Sequence, residues 1–280
     1  MITLTNPDEV RAWSRKERAA GRRVAFVPTM GALHEGHLSL VREGKRIAES
    51  VVVSIYVNPT QFGPNEDLAR YPRDLEGDVA KLSSAGADAV YLPSDEAMYP
   101  KGAQTFVTVE GISKPLCGLS RPGHFRGVAT VVAKLLVMVE PDVALFGEKD
   151  FQQLAVIRTM VRDLSIPVEI VGCPIVRERD GLAMSSRNAY LSKEERAAAL
   201  SLSRSLEIAR AMVSAGEREA AKIVAAVRKE IEGTGLARID YAEIVDPETL
   251  EKKTELSGAA LVALAVFFGK TRLIDNALLT

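Results

Sequence analysis

The sequence predicts an α/β protein in two parts: a doubly wound parallel sheet over residues 1–182 and a smaller C-terminal α+β domain over 183–280. Three observations carry that expectation. Apolar runs of strand length alternate with helix-period segments through the first two-thirds of the chain, polar glycine-bearing segments follow the ends of those runs, and the texture changes after about Asn188. At 280 residues with 47% hydrophobic content, the chain is long enough to bury a sizeable core and exceeds one average domain.

Taken in order, Val24 to Val27 reads as a strand, and Leu38, Leu40, Val41 and Ile47 mark the apolar face of the helix after it. Val51 to Val57 is a second strand, apolar on both faces and stopped at Asn58-Pro59. Leu75, Val79 and Leu82 give a helix ended by Gly86, and Ala89 to Leu92 a third strand closed by Pro93. Gly127 to Val139 is a long apolar helix that stops before Pro141, because the residue preceding a proline is driven out of helical conformation. A strand at Val143 to Phe146, a helix from Asp150 to about Leu164, and the stretches Val168 to Val171 and Ile175-Val176 complete the alternation. Such repeats force parallel pairing with helices on both faces, a Rossmann-like arrangement. The boundary to the second part is soft, somewhere in Arg177 to Ser192.

Beyond it, Ser192-Lys193-Glu194-Glu195 has capping-box form, and Leu200, Leu206, Ile208, Met212 and Val213 sustain a helix to Gly216. A second helix runs from about Glu217 to Glu232, and strands follow at Ile239 to Val245, Leu261 to Phe268 and Thr271 to Ile274.

Composition narrows the partners. The 36 basic and 37 acidic residues leave a net charge of -1, which gives no broad attraction to nucleic acid or anionic membrane, so any phosphate must be met locally. The longest apolar run, Ala259 to Phe268, is about half the length that spans a bilayer and is rich in strand formers. The first residues lack the basic-then-apolar pattern of a secretory signal, and Cys117 and Cys173 stand isolated, as suits a reducing compartment; the expected location is cytoplasmic.

Chemistry concentrates in four segments that follow predicted strands. The first, Met30-Gly31-Ala32-Leu33-His34-Glu35-Gly36-His37, carries two of the three histidines. Their spacing of three puts both rings on one helical face, which also suits a metal, but the zinc-protease pattern needs a spacing of four, no third histidine lies near in sequence and the two cysteines are isolated. A pair of surface histidines at a helix start is the plain alternative; the small residues around them favour close approach of a phosphate chain. The second segment, Asn58 to Pro64, sets Gln61 among turn residues that alone would simply expose it. The third, Gly147-Glu148-Lys149-Asp150, is by itself an ordinary turn, and the fourth, Met184-Ser185-Ser186-Arg187-Asn188, by itself a helix cap or solvated loop. Because the C-terminal strand ends of a doubly wound sheet share one edge, the four together offer imidazoles, an ammonium, a guanidinium and hydroxyls to a triphosphate. If a carboxylate attacks the α-phosphorus of ATP, charge builds on the departing pyrophosphate, and His37, Lys149 and Arg187 are the fixed donors that lower that barrier. Mg²⁺ would bridge the phosphates through water and phosphate oxygens, so no protein metal ligands are assigned.

These four segments, with Pro28-Thr29 before the first, Val57 before the second and Phe151-Gln152-Gln153 after the third, resemble the pantothenate synthetases, ATP-dependent pantoate and β-alanine ligases, in order across nearly the whole chain. The histidine pair alone would indicate only the wider nucleotidyltransferase superfamily that includes class I aminoacyl-tRNA synthetases. The resemblance implies a two-step ligation through an enzyme-bound pantoyl adenylate, with ATP, pantoate and β-alanine as substrates. It implies that Met30 to His37, Gly147 to Asp150, Val176 and Met184 to Arg187 hold ATP, with His34, His37, Lys149 and Arg187 catalytic and His37 the proton donor. Gln61 and Gln153 would fix pantoate, Gln61 also beside β-alanine, and Arg121, next to Pro122-Gly123-His124-Phe125, is expected near the phosphates and substrates. It further implies a homodimer. Gly63-Pro64-Asn65-Glu66-Asp67 is a candidate lid, a static surface loop being the default. A nucleotidyltransferase that stops at the nucleotide-linked product and a catalytically dead nucleotide-binding module are the competing readings; a tRNA synthetase is disfavoured by the short chain and balanced charge.

Overall fold

The computed structural model describes residues 1–64 and 66–279, so Asn65 of the candidate lid lies outside the described residues. Contacts divide the chain into two compact units, the first made of Met1–Ser113, Arg121–Glu148 and Gln153–Pro174, the second of Lys114–Ser120, Lys149–Gln152 and Ile175–Thr280. No helix among the described residues is long and apolar enough to cross a membrane.

The first unit opens with β1 (Ile2–Leu4) and α1 (Pro7–Ala19), continues through β2 (Val24–Thr29), α2 (Glu35–Ile47), β3 (Ser50–Ile55), α3 (Leu75–Ser84) and β4 (Ala89–Tyr91), and then a single turn, α4 (Asp95–Met98). The turn α5 (Cys117–Ser120) belongs to the second unit; α6 (His124–Val139), β5 (Val143–Gly147), most of α7 (Phe151–Asp163) and β6 (Glu169–Cys173) complete the first. Its six strands pair in the order β1-β4-β3-β2-β5-β6, every pairing parallel. One sheet face packs Ala25, Val27, Val51, Val53, Val90 and Leu145 against Leu40 and Val41 of α2 and Leu82 of α3. On the other, α6 contacts both α1 and β2, which makes the sheet doubly wound. From β2 the chain steps outward to β3 and β4, then returns to lay β5 on β2's opposite side. The order therefore reverses between β2 and β5, and in open α/β sheets ligands bind beyond the carboxyl ends of the strands at such a reversal.

In the second unit α8 (Lys193–Ala199), α9 (Ser201–Ser214) and α10 (Ala220–Glu232) precede the antiparallel strands β7 (Ala237–Val245), β8 (Ala260–Phe268) and β9 (Thr271–Leu279), paired β7-β8-β9. Leu202, Leu206, Ala209 and Val213 of α9 and Ile223, Val227 and Ile231 of α10 bury against Val262, Leu264, Val266 and Phe268 of β8.

Several boundaries differ from the sequence reading. The short edge strand β1 and helix α1 were not expected, although Asn6 caps α1 with Pro7 as its first residue. The helix expected from the Ser192 capping box to Gly216 is two helices: the capping box starts α8, which ends at Ala199, and α9 begins at Ser201, with Leu200 at the junction. Ile175-Val176 is not a strand: an isolated antiparallel bridge joins Arg177 to Ala183, and Met184 N–H donates to Val176 O at 3.0 Å, so the segment folds back on itself as a short hairpin. The last strand runs on to Leu279, well past Ile274, because Asp275 and Asn276 are buried within it by specific partners.

Candidate active site

At the carboxyl end of β2 the chain turns sharply: Gly31 has φ +80° and Ala32 φ +50°, two successive left-handed residues. A Cβ at Gly31 would stand 3.0 Å from an Asp78 oxygen and 3.1 Å from Ile55, so glycine answers both the backbone angle and the space. Asp78 explains what holds the turn. This carboxylate, 1% exposed, accepts the backbone N–H of Ala32 and of Leu33, each at 2.7 Å, and Lys81 from the same helix donates to Leu33 O at 3.0 Å. Charge-assisted bonds to a buried carboxylate are worth roughly 1.5–3 kcal/mol, enough to maintain a left-handed alanine. Sequence reading did not single out Asp78, yet a signal was present: it lies three residues after Leu75 and four before Leu82, an acid on the apolar stripe of its helix.

The turn delivers the histidine pair. His34 is the extended N-cap of α2 and His37 its third residue, with ring centroids 4.1 Å apart. His34 N–H approaches His37 Nδ1 at 3.4 Å, and since a backbone amide only donates, this contact favours the neutral His37 tautomer with its proton on Nε2.

At the end of β3, Asn58 organises the second segment. Its side chain, 1% exposed, donates to Gln61 Oε1 at 3.1 Å and to Gly127 O at 3.2 Å, and accepts from Thr60 and, at 2.8 Å, from Tyr99. Gln61 in turn donates from Nε2 to Met30 Sδ at 3.1 Å. A thioether is a weak acceptor, so that amide loses little when it turns to an oxygen. The first unit thus brings Gln61 directly against Met30. Close approach is permitted by Gly127, where a Cβ would sit only 2.3 Å from Thr60 O. Arg121 donates to both oxygens of Glu66, at 2.7 and 2.6 Å, and to Gln61 O at 3.2 Å. Burial raises the Glu66 carboxyl, but the Arg121 hydrogen bonds and charge outweigh it and leave the group below its ordinary range.

Gly147 ends β5, the strand beside β2 at the reversal of sheet order, and Glu148 begins the turn after it. A Cβ at Gly147 would meet nothing within 4 Å, so neither space nor backbone angle in the protein itself calls for glycine there. Gln152 and Gln153 separate clearly: Gln152 is buried, donating to Pro115 O and accepting from Cys117 N–H, whereas Gln153 is half-buried.

In the second unit two adjacent residues of β9 tie two of the expected segments together. Asn276 donates to Lys149 O at 3.0 Å, and Asp275 takes the Arg177 guanidinium in a two-point ion pair at 2.7 and 2.9 Å. Arg177 lies on the hairpin that sets Val176 beside Met184. Ser185 caps the turn Ser186–Tyr190, accepting from Arg187 N–H, and Asn188 donates to Glu178 and Ala183 O. Lys149, Val176 and Met184 to Arg187 are therefore neighbours within this unit. Asp275 and Asn276, which brace them, carry no motif signal beyond polar residues set in an apolar strand, whereas Asn188 closes the fourth segment singled out in the sequence.

Comparison with known proteins agrees along the whole length. The family model described as pantoate-beta-alanine ligase matches residues 2–278. The pantothenate synthetase of Myxococcus xanthus is 60% identical over 271 residues, covering 96% of this chain and 92% of that one. That of Geobacter sulfurreducens is 56% identical over 279 residues, covering 100% and 99%. Among solved structures, pantothenate synthetase from Thermus thermophilus aligns with a TM-score of 0.94 at 49% identity over 99% of each chain. The pantoate-beta-alanine ligase of Francisella tularensis, solved in complex with beta-gamma ATP and beta-alanine, aligns at 0.80 and 34% identity, covering 99% and 97%.

Proposed function

This chain belongs to the pantoate–β-alanine ligase family, and from that premise we propose the course of its reaction: ATP, pantoate and β-alanine give pantothenate, AMP and pyrophosphate through a pantoyl adenylate. In the first step a pantoate carboxylate oxygen bonds to the α-phosphorus, and the bond from that phosphorus to the bridging oxygen breaks, with the electron pair leaving on pyrophosphate. In the second the neutral amine of β-alanine attacks the acyl carbon, the bond to the AMP oxygen breaks, and the amine gives up a proton as the amide forms. The observation that carries this reading is the position of Met30 to His37 at the carboxyl end of β2, where sheet order reverses, in a chain matched by the family model from end to end.

The residue roles follow from their chemistry. Met30 to His37, Gly147 to Asp150, Val176 and Met184 to Arg187 bind ATP, their backbone and hydroxyl donors facing phosphate and ribose oxygens. His37 Nε2–H donates to the phosphate chain as charge moves onto pyrophosphate, His34 fixes its partner's ring, and Lys149 and Arg187 supply the cations. Gln61 and Gln153 read the hydroxyls and carboxylate of pantoate through neutral amides that leave the carboxylate nucleophilic, and Gln61 serves β-alanine as well. Mg²⁺ enters with ATP. Phosphate oxygens and water would supply most of its ligands, and the ion would offset the charge of the phosphate chain. We place the enzyme in the cytoplasm as a homodimer; sedimentation at a single protomer mass would refute the dimer.

The test is to supply Mg-ATP, pantoate and a panel of amines. AMP should appear in step with amide product only when β-alanine is present, and pantoate-dependent exchange of pyrophosphate into ATP should proceed without it. Accumulation of a released nucleotide-linked product, or ATP binding with no exchange, would overturn the assignment.

A further inference from the structure

The third histidine of the chain is not used by the scheme above, yet it is buried, 9% exposed, against the main chain of Gln61. His124 Nδ1 lies 2.8 Å from Gln61 O, Arg121 Nη2 lies 3.2 Å from the same oxygen, and Arg121 Nη1 lies 3.0 Å from His124 Nε2. Glu66 closes the network by accepting from Arg121 Nε and Nη2. The partners dictate the state of the ring. A carbonyl oxygen can only accept, so Nδ1 carries the proton; a guanidinium can only donate, so Nε2 holds a lone pair. His124 is thereby held neutral as its Nδ1–H tautomer.

We propose that His124, Arg121 and Glu66 are positioning residues for pantoate, acting through Gln61. Three things support this over direct contact with substrate. The Arg121 fork is filled by the Glu66 carboxylate, its other arm faces the imidazole, and both cation and ring converge on one carbonyl oxygen. The Gln61 side chain is anchored by Asn58 and by the weak Met30 sulfur contact, so the direction of its amide depends on its main chain being fixed. Gly127, one helical turn after Gly123, lets α6 bring the ring to the Thr60–Gln61 backbone. Arg121, which the family resemblance places near the phosphates and substrates, bridges Glu66 and the Gln61 loop.

This inference rests on the reading of Gln61 as a pantoate residue, and the experiment separates the two. Steady-state constants for pantoate and ATP are measured for the full-length protein and for His124→Leu, His124→Asn, Glu66→Gln, Gln61→Ala and the double variant Gln61→Ala/His124→Leu. Asparagine keeps a donor near the place of Nδ1, while leucine fills similar volume without one. His124→Leu should raise the pantoate KM about ten-fold and leave the ATP KM within about two-fold, His124→Asn should recover most of the loss, and Glu66→Gln should raise the pantoate KM several-fold. In the Gln61→Ala background His124→Leu should add less than about two-fold, since residues acting through one group are not additive. Histidine ¹⁵N spectra of the unaltered protein should report the Nδ1–H tautomer. Equal shifts in both KM values, or no recovery with asparagine, would overturn the inference, and so would an Nε2–H ring, which is readable even if the leucine variant does not fold. An unchanged pantoate KM in Gln61→Ala would instead refute the reading of Gln61.

Discussion

Replacing Gly127 with alanine sets two effects of opposite sign against each other. In a helix interior the change should stabilise by about 1 kcal/mol, because alanine has the better propensity. Here the new Cβ would lie 2.3 Å from Thr60 O, 2.6 Å from its carbonyl carbon and 2.7 Å from Gln61 N, all main-chain atoms that cannot rotate away. A resting carbon–oxygen contact is about 3.3 Å, so the helix or the Gln61 segment must retreat by about 1 Å. Neither yields readily, since α6 is buried along most of its length and Asn58 ties the segment to Gly127 O. Overpacking of this kind costs roughly 1–3 kcal/mol, which outweighs the propensity gain and lowers the melting temperature by several degrees. A displacement of about 1 Å at a substrate residue also lowers turnover by about a hundred-fold. Thermal denaturation with pantoate kcat/KM tests both at once. A variant as stable as the parent, or more so, with unchanged kcat/KM for pantoate would refute the claim that this close approach positions Gln61.

Gly147→Ala should behave differently, leaving the melting temperature unchanged while raising the ATP KM, because nothing in the protein occupies the space a Cβ would take; an unaltered ATP KM would mean that no ligand approaches there. Asp78→Asn puts an amide N–H against one of two backbone donors and should destabilise by about 2 kcal/mol while slowing adenylate formation more than ten-fold, and normal pyrophosphate exchange would remove the Ala32–Leu33 turn from the mechanism. Hydrogen bonds from Arg22 and then Ser50 hold the Glu17 carboxyl down to about 2, below its unfolded value, so its contribution to stability is fully present above about pH 4.5 and disappears as pH falls toward 2. With the Arg22 side chain 42% exposed, that contribution is discounted to about 1 kcal/mol, and Glu17→Gln should cost this at pH 7 and nothing at pH 2; a difference independent of pH would contradict the assignment.

The parallel sheet was legible in the sequence because its inner strands are apolar on both faces: Val24 to Val27 and Val51 to Val53 are wholly buried, and such runs bounded by glycine and proline leave little choice of period. The edge strand Ile2–Leu4 escaped because only Leu4 is buried, so no pattern marks it. Ile175-Val176 misled because two β-branched residues look alike in a strand and in a short hairpin. The motif segments themselves were readable, since glycines, prolines and histidines cluster where strands end. Their supports were not. Asp78 meets Ala32 and Leu33 across more than forty residues, Asn276 meets Lys149 across more than a hundred, and His124 meets Gln61 across sixty-three, contacts that only the folded chain creates. Asp78 was nonetheless detectable as a charge on an apolar helix stripe, a signal that points to a buried partner without naming it.

Activation of the pantoate carboxylate as an acyl-AMP can be followed atom by atom. With both carboxylate oxygens of pantoate labelled with ¹⁸O, the oxygen that attacks phosphorus must stay on AMP when the amide forms, and the other must remain in the amide carbonyl. Mass spectrometry of the products after a single turnover should find one label in AMP, one in pantothenate and none in pyrophosphate. Unlabelled AMP with label in the β- or γ-phosphoryl product would contradict the account.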